Sequence, residues 1–284
     1  MEKAYAKLNL SLAVKGKRSD AYHELETVMV PVESLYDELY FEVSDSSQFE
    51  LIGSSIEDDI ILKTAKLFQE KYNTTGAKIR LVKRIPVEAG LGGGSADSSA
   101  TLRGLNRLFN LNLSLSELEP LAASLGSDTV FTLHNKAAVC RGRGELLEFI
   151  ENPFSFNVYI IKPDFGLSTK EVFKHVVYSC DHKGKLINIL RGLKENNLEL
   201  LKENIFNDLL TSLSKYNECV NDILLYFEGL GIDIFMSGSG SAFYTFNDLN
   251  LILDKSNIKE KYPFVENHLI KHTVLDWLKL KIAL

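Results

Sequence analysis

"PVEAGLGGGSADSSA", residues 86–100, sets Gly90, Gly92, Gly93 and Gly94 around Leu91 and follows them at once with Ser95, Ala96, Asp97, Ser98, Ser99 and Ala100. Glycines remove the side chains that would hold a ligand off the backbone, and the small hydroxyl-rich run after them suits a helix start. The spacing predicts a helix over 95–109. Successive N–H groups at such a start, with the partial positive charge of the helix dipole, hold a phosphate without side-chain charge. The dipole contributes about 0.3–1 kcal/mol when exposed and up to about 2 when partly buried. One helix end is therefore too weak alone, and a lysine or Mg²⁺ must add to it.

Two other glycine-loop readings fail. A dinucleotide fold needs G-x-G-x-x-G, and counting from Gly90 the third glycine position holds Ser95. A Walker loop needs G-x-x-x-x-G-K-[ST], and neither Gly16-Lys17 nor Gly184-Lys185 has the partner glycine or the following hydroxyl residue.

Outward from the loop, "AKIRLVKRIP" reads as a strand entering it, and "DDIILKTAKLFQEKYN" as a helix with Ile61, Ala65, Phe68 and Tyr72 on one face. Beyond the loop, "SLSELEPLAASLG" offers a capping box, Ser116 with Glu119, before another helix, and "AAVCRGRGELLEFI" reads as strand, turn, strand. At the start, alternation in "AYAKLNLSLAVKG" puts Ala4, Ala6, Leu8, Leu10, Leu12 and Val14 on one face and Tyr5, Lys7, Asn9 and Ser11 on the other. After a turn around 18–21, "ELETVMVPVESL" and "DELYFEVS" read as two further strands. "IENPFSF", residues 150–156, marks a boundary, giving units over 1–152 and 153–284; the second is helix after helix from Lys185 to Leu230, returning to strands in "GIDIFMSGSGSAFYTF". The mixture predicts an α+β fold rather than a doubly wound sheet.

The 284 residues, 45% of them hydrophobic, suffice for a substantial core. With no signal-like start and no apolar run long enough to span a bilayer, the chain is expected in the cytoplasm, without a membrane partner. A formal net charge of −6 argues against a nucleic-acid surface. Cys140, Cys180 and Cys219 are widely spaced, with no zinc pattern, and are expected to be buried, reduced and structural. The histidines are scattered, so no metal held by protein ligands is expected.

The loop closely resembles the P-x-x-x-G-L-G-S/G-S/G-S/A-A motif of the GHMP small-molecule kinases, and "MSGSGSAFYTF" from Met236 resembles that family's C-terminal glycine motif, in the same order. The resemblance covers most of the chain. "AKLNLSLAVKGKRSDAYHEL" matches A-K-x-N-L…R-x-D-G-Y-H-x-L, found in the branch of the family whose acceptor alcohol carries a cytidylate. "LGSDTVFTL", "GRGELL" and "PDFGLSTKEVF" match further segments of that branch. Departures are Ala21 for the glycine before Tyr-His, Val130 and Thr132 for the Pro-Phe portion after Asp128, and Ile60 for an asparagine; no adenine-contacting residue is carried over.

The resemblance implies a two-lobed fold, an N-terminal mixed α/β lobe with the phosphate loop and a ferredoxin-like C-terminal lobe, with the active site between them. It implies ATP with Mg²⁺ bound through its phosphates, held by Pro86, Gly90, Leu91, Gly92, Gly93, Gly94, Ser95 and Ala96, with Ser98 or Ser99 as further hydroxyls. Asp128 would orient or deprotonate the acceptor hydroxyl and Lys7 would sit beside it. Asn9, Tyr22, His23, Thr169, Phe173 and Gly238 would meet the cytidylate acceptor, the aromatic rings enclosing its base. Standing alone, Asp128 reads as a turn aspartate capping the next helix, and Lys7 as an exposed strand lysine. The expected partner is the small-molecule cytidylate substrate, and the chain is expected to be a monomer or weak homodimer. The alternatives are another GHMP kinase, for homoserine, mevalonate or a sugar, and a catalytically silent nucleotide-binding relative.

Overall fold

The computed structural model describes residues 1–56, 59–163, 165–178, 182–215, 217–247, 249 and 279–282. Cys180, and Asp164 of the "PDFGLSTKEVF" match, lie outside them. The first sheet joins β1 (Glu2–Lys17), β2 (His23–Val43), β3 (Glu50–Ile52), β4 (Ala77–Val82), β5 (Ala138–Gly142), β6 (Leu146–Phe149) and β8 (Phe206–Asn207). The second, with β7 (Phe156–Ile161), β9 (Phe235–Met236), β10 (Phe243–Thr245) and β11 (Lys279–Ile282), runs β11-β7-β10-β9 with every pairing antiparallel. This is the expected α+β architecture.

The helices follow from their patterns. In α1 (Ile60–Tyr72), Asp59 caps the start through the Ile61 N–H, and Ile61, Thr64, Ala65 and Phe68 are buried. α2 (Gly93–Leu108) begins two residues earlier than expected, because Gly92 at φ +71 turns the chain directly into the helix. α3 (Leu115–Leu125) does carry a capping box, but on Ser114 and Glu117. Two S-x-x-E frames overlap there; the earlier one is used because Ser114 has the extended backbone of a cap and brings Leu118, Leu121 and Ala122 into the core. α4 (Thr129–His134) follows, then α5 (Thr169–Lys174), α6 (Lys183–Glu195), α7 (Leu198–Asn204), α8 (Asp208–Leu213) and α9 (Glu218–Gly229).

Two strand expectations need correction. β2 is one strand, not two: it continues past Pro31, and residues 33–35 loop out between the Ala6–Val32 and Tyr5–Tyr36 pairs. β1 does not keep one face throughout. Asn9 pairs with Met29 and Ser11 with Val28, so Leu10 is an extra residue, a bulge that exchanges the faces of the residues from Ser11 to Val14. Ala4, Ala6, Leu8 and Leu10 enter one core with Val28, Val30 and α2, whereas Leu12 and Val14 enter a second core with Tyr159, Ile161, Leu209, Met236 and Phe243. Alternation could not reveal this, since every residue from Ala6 to Val14 is buried. The second sheet lies between both cores, with Phe156, Val158, Ile160 and Tyr244 in the first and Tyr159, Ile161 and Phe243 in the second.

Cys140 is fully buried and burial pushes its thiol far above the ordinary cysteine range. Cys219 is only half-buried, so the expectation of burial fails there: it sits on the first turn of α9, a helix that turns only part of its face to the core.

Candidate active site

A cleft of about 1530 Å³ runs between the face of the first sheet that carries the glycine loop and α5 with the β9–β10 turn. Two glycine motifs form its centre, hydrogen-bonded to each other across the chain. The Ser241 and Ala242 N–H groups donate to the carbonyls of Glu88 (3.3 Å) and Ala89 (3.0 Å), and the Ser237 hydroxyl donates to the Gly90 carbonyl at 3.0 Å. The first loop is also tied to β1, where the Lys7 N–H donates to the Leu91 carbonyl at 3.0 Å.

Glycine is required in this junction for room as well as for backbone angle. A Cβ on Gly90 would stand 2.1 Å from the Ser237 carbonyl oxygen, and one on Gly92 would stand 2.9 Å from Lys7 Cγ. Both residues have φ +71, a region in which side chains are strained. Gly94 differs: a Cβ there would meet only Ile60 Cγ2, at 3.9 Å, and otherwise open cleft. No side chain caps the start of α2, so its first N–H groups are left to whatever enters the cleft.

Lys7 is buried, unlike the exposed strand lysine its surroundings alone suggest. Its Nζ donates to Asn9 Oδ1 (2.7 Å) and to the Gly90 carbonyl (2.8 Å), and stands 3.4 Å from Asp128 Oδ2. Asn9 is held in turn, its amide donating to the Thr27 hydroxyl at 2.8 Å. Asp128 occupies the N-cap position of α4 but makes no side-chain capping bond, which leaves its carboxylate turned to Lys7 and the cleft.

Of the residues that the sequence singles out, Lys7, Asn9, Tyr22, His23, Pro86, Gly90 to Ser95, Asp128, Thr169, Phe173 and Gly238 line this one cleft. Ala96, Ser98 and Ser99 do not. Ser98 shares a hydrogen bond with Thr64 (2.8 Å), tying α2 to α1, and Ser99 donates to the Thr129 carbonyl (2.7 Å), tying α2 to α4. Their hydroxyls are taken up by helix packing, one turn further into the core than Gly94 and Ser95.

At the far end, the rings of His23 and Phe173 already touch, with centroids 4.9 Å apart and planes at 31°. A base between two rings needs roughly 7 Å, twice a van der Waals contact of about 3.5 Å, so the expected enclosure does not lie between these two. Tyr22 is 52% exposed, with the Arg143 guanidinium 4.9 Å from its ring centre. Burial, and then the charge of Lys17, hold His23 below the usual histidine range. Ala21 takes φ +67, the conformation for which a glycine would be better suited.

Sequence reading missed a charged cluster beneath the loop. Lys83 Nζ donates to Asp37 Oδ2 and Asp97 Oδ2, each at 2.6 Å, and Asp37 Oδ1 accepts the Arg84 and Ile85 N–H groups at 2.5 and 2.7 Å. Burial pushes the Asp97 carboxyl up to about 7, against the pull of Lys83 and with the charge of Asp37 adding to the rise. Burial works against the Lys83 ammonium, but the two carboxylates outweigh it and hold it above its ordinary range. An acid in the first turns of a helix reads as dipole compensation, and the other members are distant in sequence, so no local signal identified the cluster.

Residues 59–136 match the profile described as the GHMP kinases N terminal domain. The 4-diphosphocytidyl-2-C-methyl-D-erythritol kinase of Thermoanaerobacter sp. (strain X514) is 38% identical over 275 residues, spanning 93% of each chain. The chain belongs to the 4-diphosphocytidyl-2-C-methyl-D-erythritol kinase family. A solved 4-(cytidine 5'-diphospho)-2C-methyl-D-erythritol kinase superposes with TM-score 0.74 at 31% identity, over 87% of this chain and 90% of that one. The mevalonate kinase of L. major, at 15% identity and TM-score 0.68 over 99% of this chain and 95% of that one, shares the fold. The protein is thus a small-molecule kinase with the two-lobed GHMP fold, and among the described residues no helix is long and apolar enough to cross a membrane.

Proposed function

We propose that this kinase transfers the terminal phosphoryl group of Mg-ATP to the 2-hydroxyl of 4-diphosphocytidyl-2-C-methyl-D-erythritol, a step of non-mevalonate isoprenoid-precursor synthesis. The observation that carries the reading is the meeting of Lys7 Nζ, Asp128 and the Gly90 carbonyl where the two glycine loops join. That junction sets a fixed cation and a carboxylate beside an uncapped helix start, the three parts that phosphoryl transfer to an alcohol requires.

The loop fits a triphosphate. Its glycines leave a cradle that any side chain at 94 would enter, and the free N–H groups of α2 line it. Mg²⁺ on the phosphates would supply charge neutralisation, with Ser95 the loop hydroxyl on the cleft side. The end lined by Ser54, Ile56, Ile60 and Leu81 suits the adenine. Lys7 offsets charge on the transferred group and keeps the Asp128 carboxylate aimed at the acceptor hydroxyl. An aspartate is a weak base toward an alcohol, so Asp128 acts chiefly by orienting that hydroxyl and takes its proton late.

The cytosine lies between Tyr22 and the stacked pair of His23 and Phe173, each stacking contact worth about 1–3 kcal/mol. A neutral His23, favoured by its lowered pKa, can present one donor and one acceptor to the base. Residues 1–152 supply the phosphate loop, Lys7 and Asp128; residues 153–284 supply Thr169, Phe173 and the second glycine loop. The setting we propose is the cytoplasm, with the protein a monomer or weak homodimer.

The test is ADP release from Mg-ATP by the purified protein with 4-diphosphocytidyl-2-C-methyl-D-erythritol, mevalonate, homoserine and galactose as acceptors. Turnover confined to the cytidylate compound is expected. Turnover with another acceptor, or none with any, overturns the proposal.

A further inference from the structure

We infer that Asn207, on β8, is a positioning residue for phosphoryl transfer: its carboxamide sets the second glycine loop and, through it, the place of Lys7. This rests on the kinase reading above and adds to it a residue that never touches either substrate.

Asn207 is buried and pairs beside Leu12 of β1, next to the Leu10 bulge. Its Nδ2 donates one hydrogen to the Met236 carbonyl (2.9 Å) and the other to the Gly238 carbonyl (2.8 Å). Its Oδ1 accepts the Leu209 N–H at 3.0 Å and so caps α8. Both donors and the acceptor are thus spent, and both donors go to the turn between β9 and β10.

That turn is the part of the molecule that presses on the catalytic lysine. A Cβ on Gly238 would lie 3.0 Å from the Gly90 carbonyl oxygen and 3.1 Å from Lys7 Nζ. The neighbouring Ser237 hydroxyl donates to the same Gly90 carbonyl that Lys7 does. A shift of the turn therefore moves Gly90, and Lys7 Nζ loses its placement against Asp128. Two carbonyls converging on one point repel each other unless a double donor lies between them, and a carboxamide supplies two N–H groups from one atom without bringing a charge.

Asn207→Asp is the discriminating variant. It keeps the shape and the Oδ1 cap of α8, and replaces the double donor by a carboxylate oxygen facing two carbonyls. Such a carboxyl is driven toward its protonated form, which returns one donor, so the defect must ease as pH falls. Its sequence neighbour Asp208 is paired with His182 at 2.8 Å, and Lys7 stands with Asp128 across the turn at Gly238. All four remain in the wild-type protein, so the readout is the ratio of variant to wild type at each pH.

Steady-state kinetics at pH 8 are expected to give a kcat at least tenfold below wild type, with the KM values for ATP and acceptor within threefold. At pH 6 the ratio should recover severalfold for Asn207→Asp but not for Asn207→Ala. Should the aspartate variant not fold, Asn207→Ser, which keeps one donor, is read for the same split of kcat from KM. A kcat within threefold of wild type at pH 8, or a loss carried by KM or independent of pH, overturns the inference. No turnover by the wild-type protein would instead refute the kinase reading itself.

Discussion

Replacing Gly92 by alanine tests whether the glycine loop sets the proposed catalytic lysine, Lys7, by direct contact. The added Cβ would stand 2.9 Å from Lys7 Cγ and 3.1 Å from Cε. Carbon atoms rest about 3.5–4.0 Å apart, so one of the two must give way by roughly 0.6–1 Å. The lysine stem has little freedom, because its backbone is bonded to Leu91 and its Nζ to Asn9 and Gly90. The displacement is therefore passed to Nζ, and a misplacement near 1 Å costs about a hundredfold in rate. The left-handed backbone at φ +71 adds a stability cost of about 1–2 kcal/mol for a residue with a Cβ. ADP-release kinetics should show kcat down ten- to a hundredfold with the KM for ATP nearly unchanged, and urea unfolding should show the stability loss. Gly94→Ala is the control: it meets only Ile60 Cγ2 at 3.9 Å and gains up to about 1 kcal/mol of helix propensity. That variant should be as stable as wild type or more so, yet bind ATP more weakly because its methyl enters the cradle. A Gly92→Ala enzyme with kcat within threefold of wild type would refute the reasoning.

Three further outcomes are expected. Asp128→Asn should reduce turnover by at least a hundredfold while ATP binding, read by calorimetry, stays within severalfold; near wild-type rates would remove Asp128 from the chemistry. Tyr22→Ala should raise the KM for the cytidylate acceptor about tenfold and spare that for ATP, and equal effects on both would displace the base from that end of the cleft. Asp97 binds its proton more tightly in the folded protein, with a pKa of about 7 against an ordinary value of 3.8. Its contribution to stability is therefore present below about pH 4 and lost as pH rises toward 7. Asp97→Asn should flatten that fall in a series of melting curves, and parallel wild-type and variant curves would show that Asp97 carries no such proton.

The centre of the site was legible because its chemistry is local. The glycines, Ser95 and Ala96 are contiguous, and the motif at Met236 repeats the signal in the expected order. Lys7 and Asn9 share a face at a separation of two residues, which a strand guarantees. What stayed hidden is non-local. The Leu10 bulge leaves no trace in a segment buried on both faces, and the break at 33–35 of β2 reads as an end when it is a looped-out stretch. The capping box of α3 was displaced by two residues because two frames satisfy the same pattern. Lys83 meets carboxylates 46 and 14 residues away, and Asn207 meets carbonyls 29 and 31 residues away. Ser98 and Ser99 look like loop hydroxyls in sequence, and only the helix turn shows that they point into the core.

The inserted residue at Leu10 also bears on how this protein can be recombined with its relatives. Leu12 and Val14 are the fully buried members that the first 152 residues contribute to the second core; the others come from Tyr159 onward. A chimera joined near residue 152, the boundary expected from the sequence, would thus set foreign side chains against these two, a few residues along the same strand from Lys7. Exchange of either half therefore moves Lys7 even when the donor's own cleft residues are identical, so the half that travels must take β1's two inward residues with it.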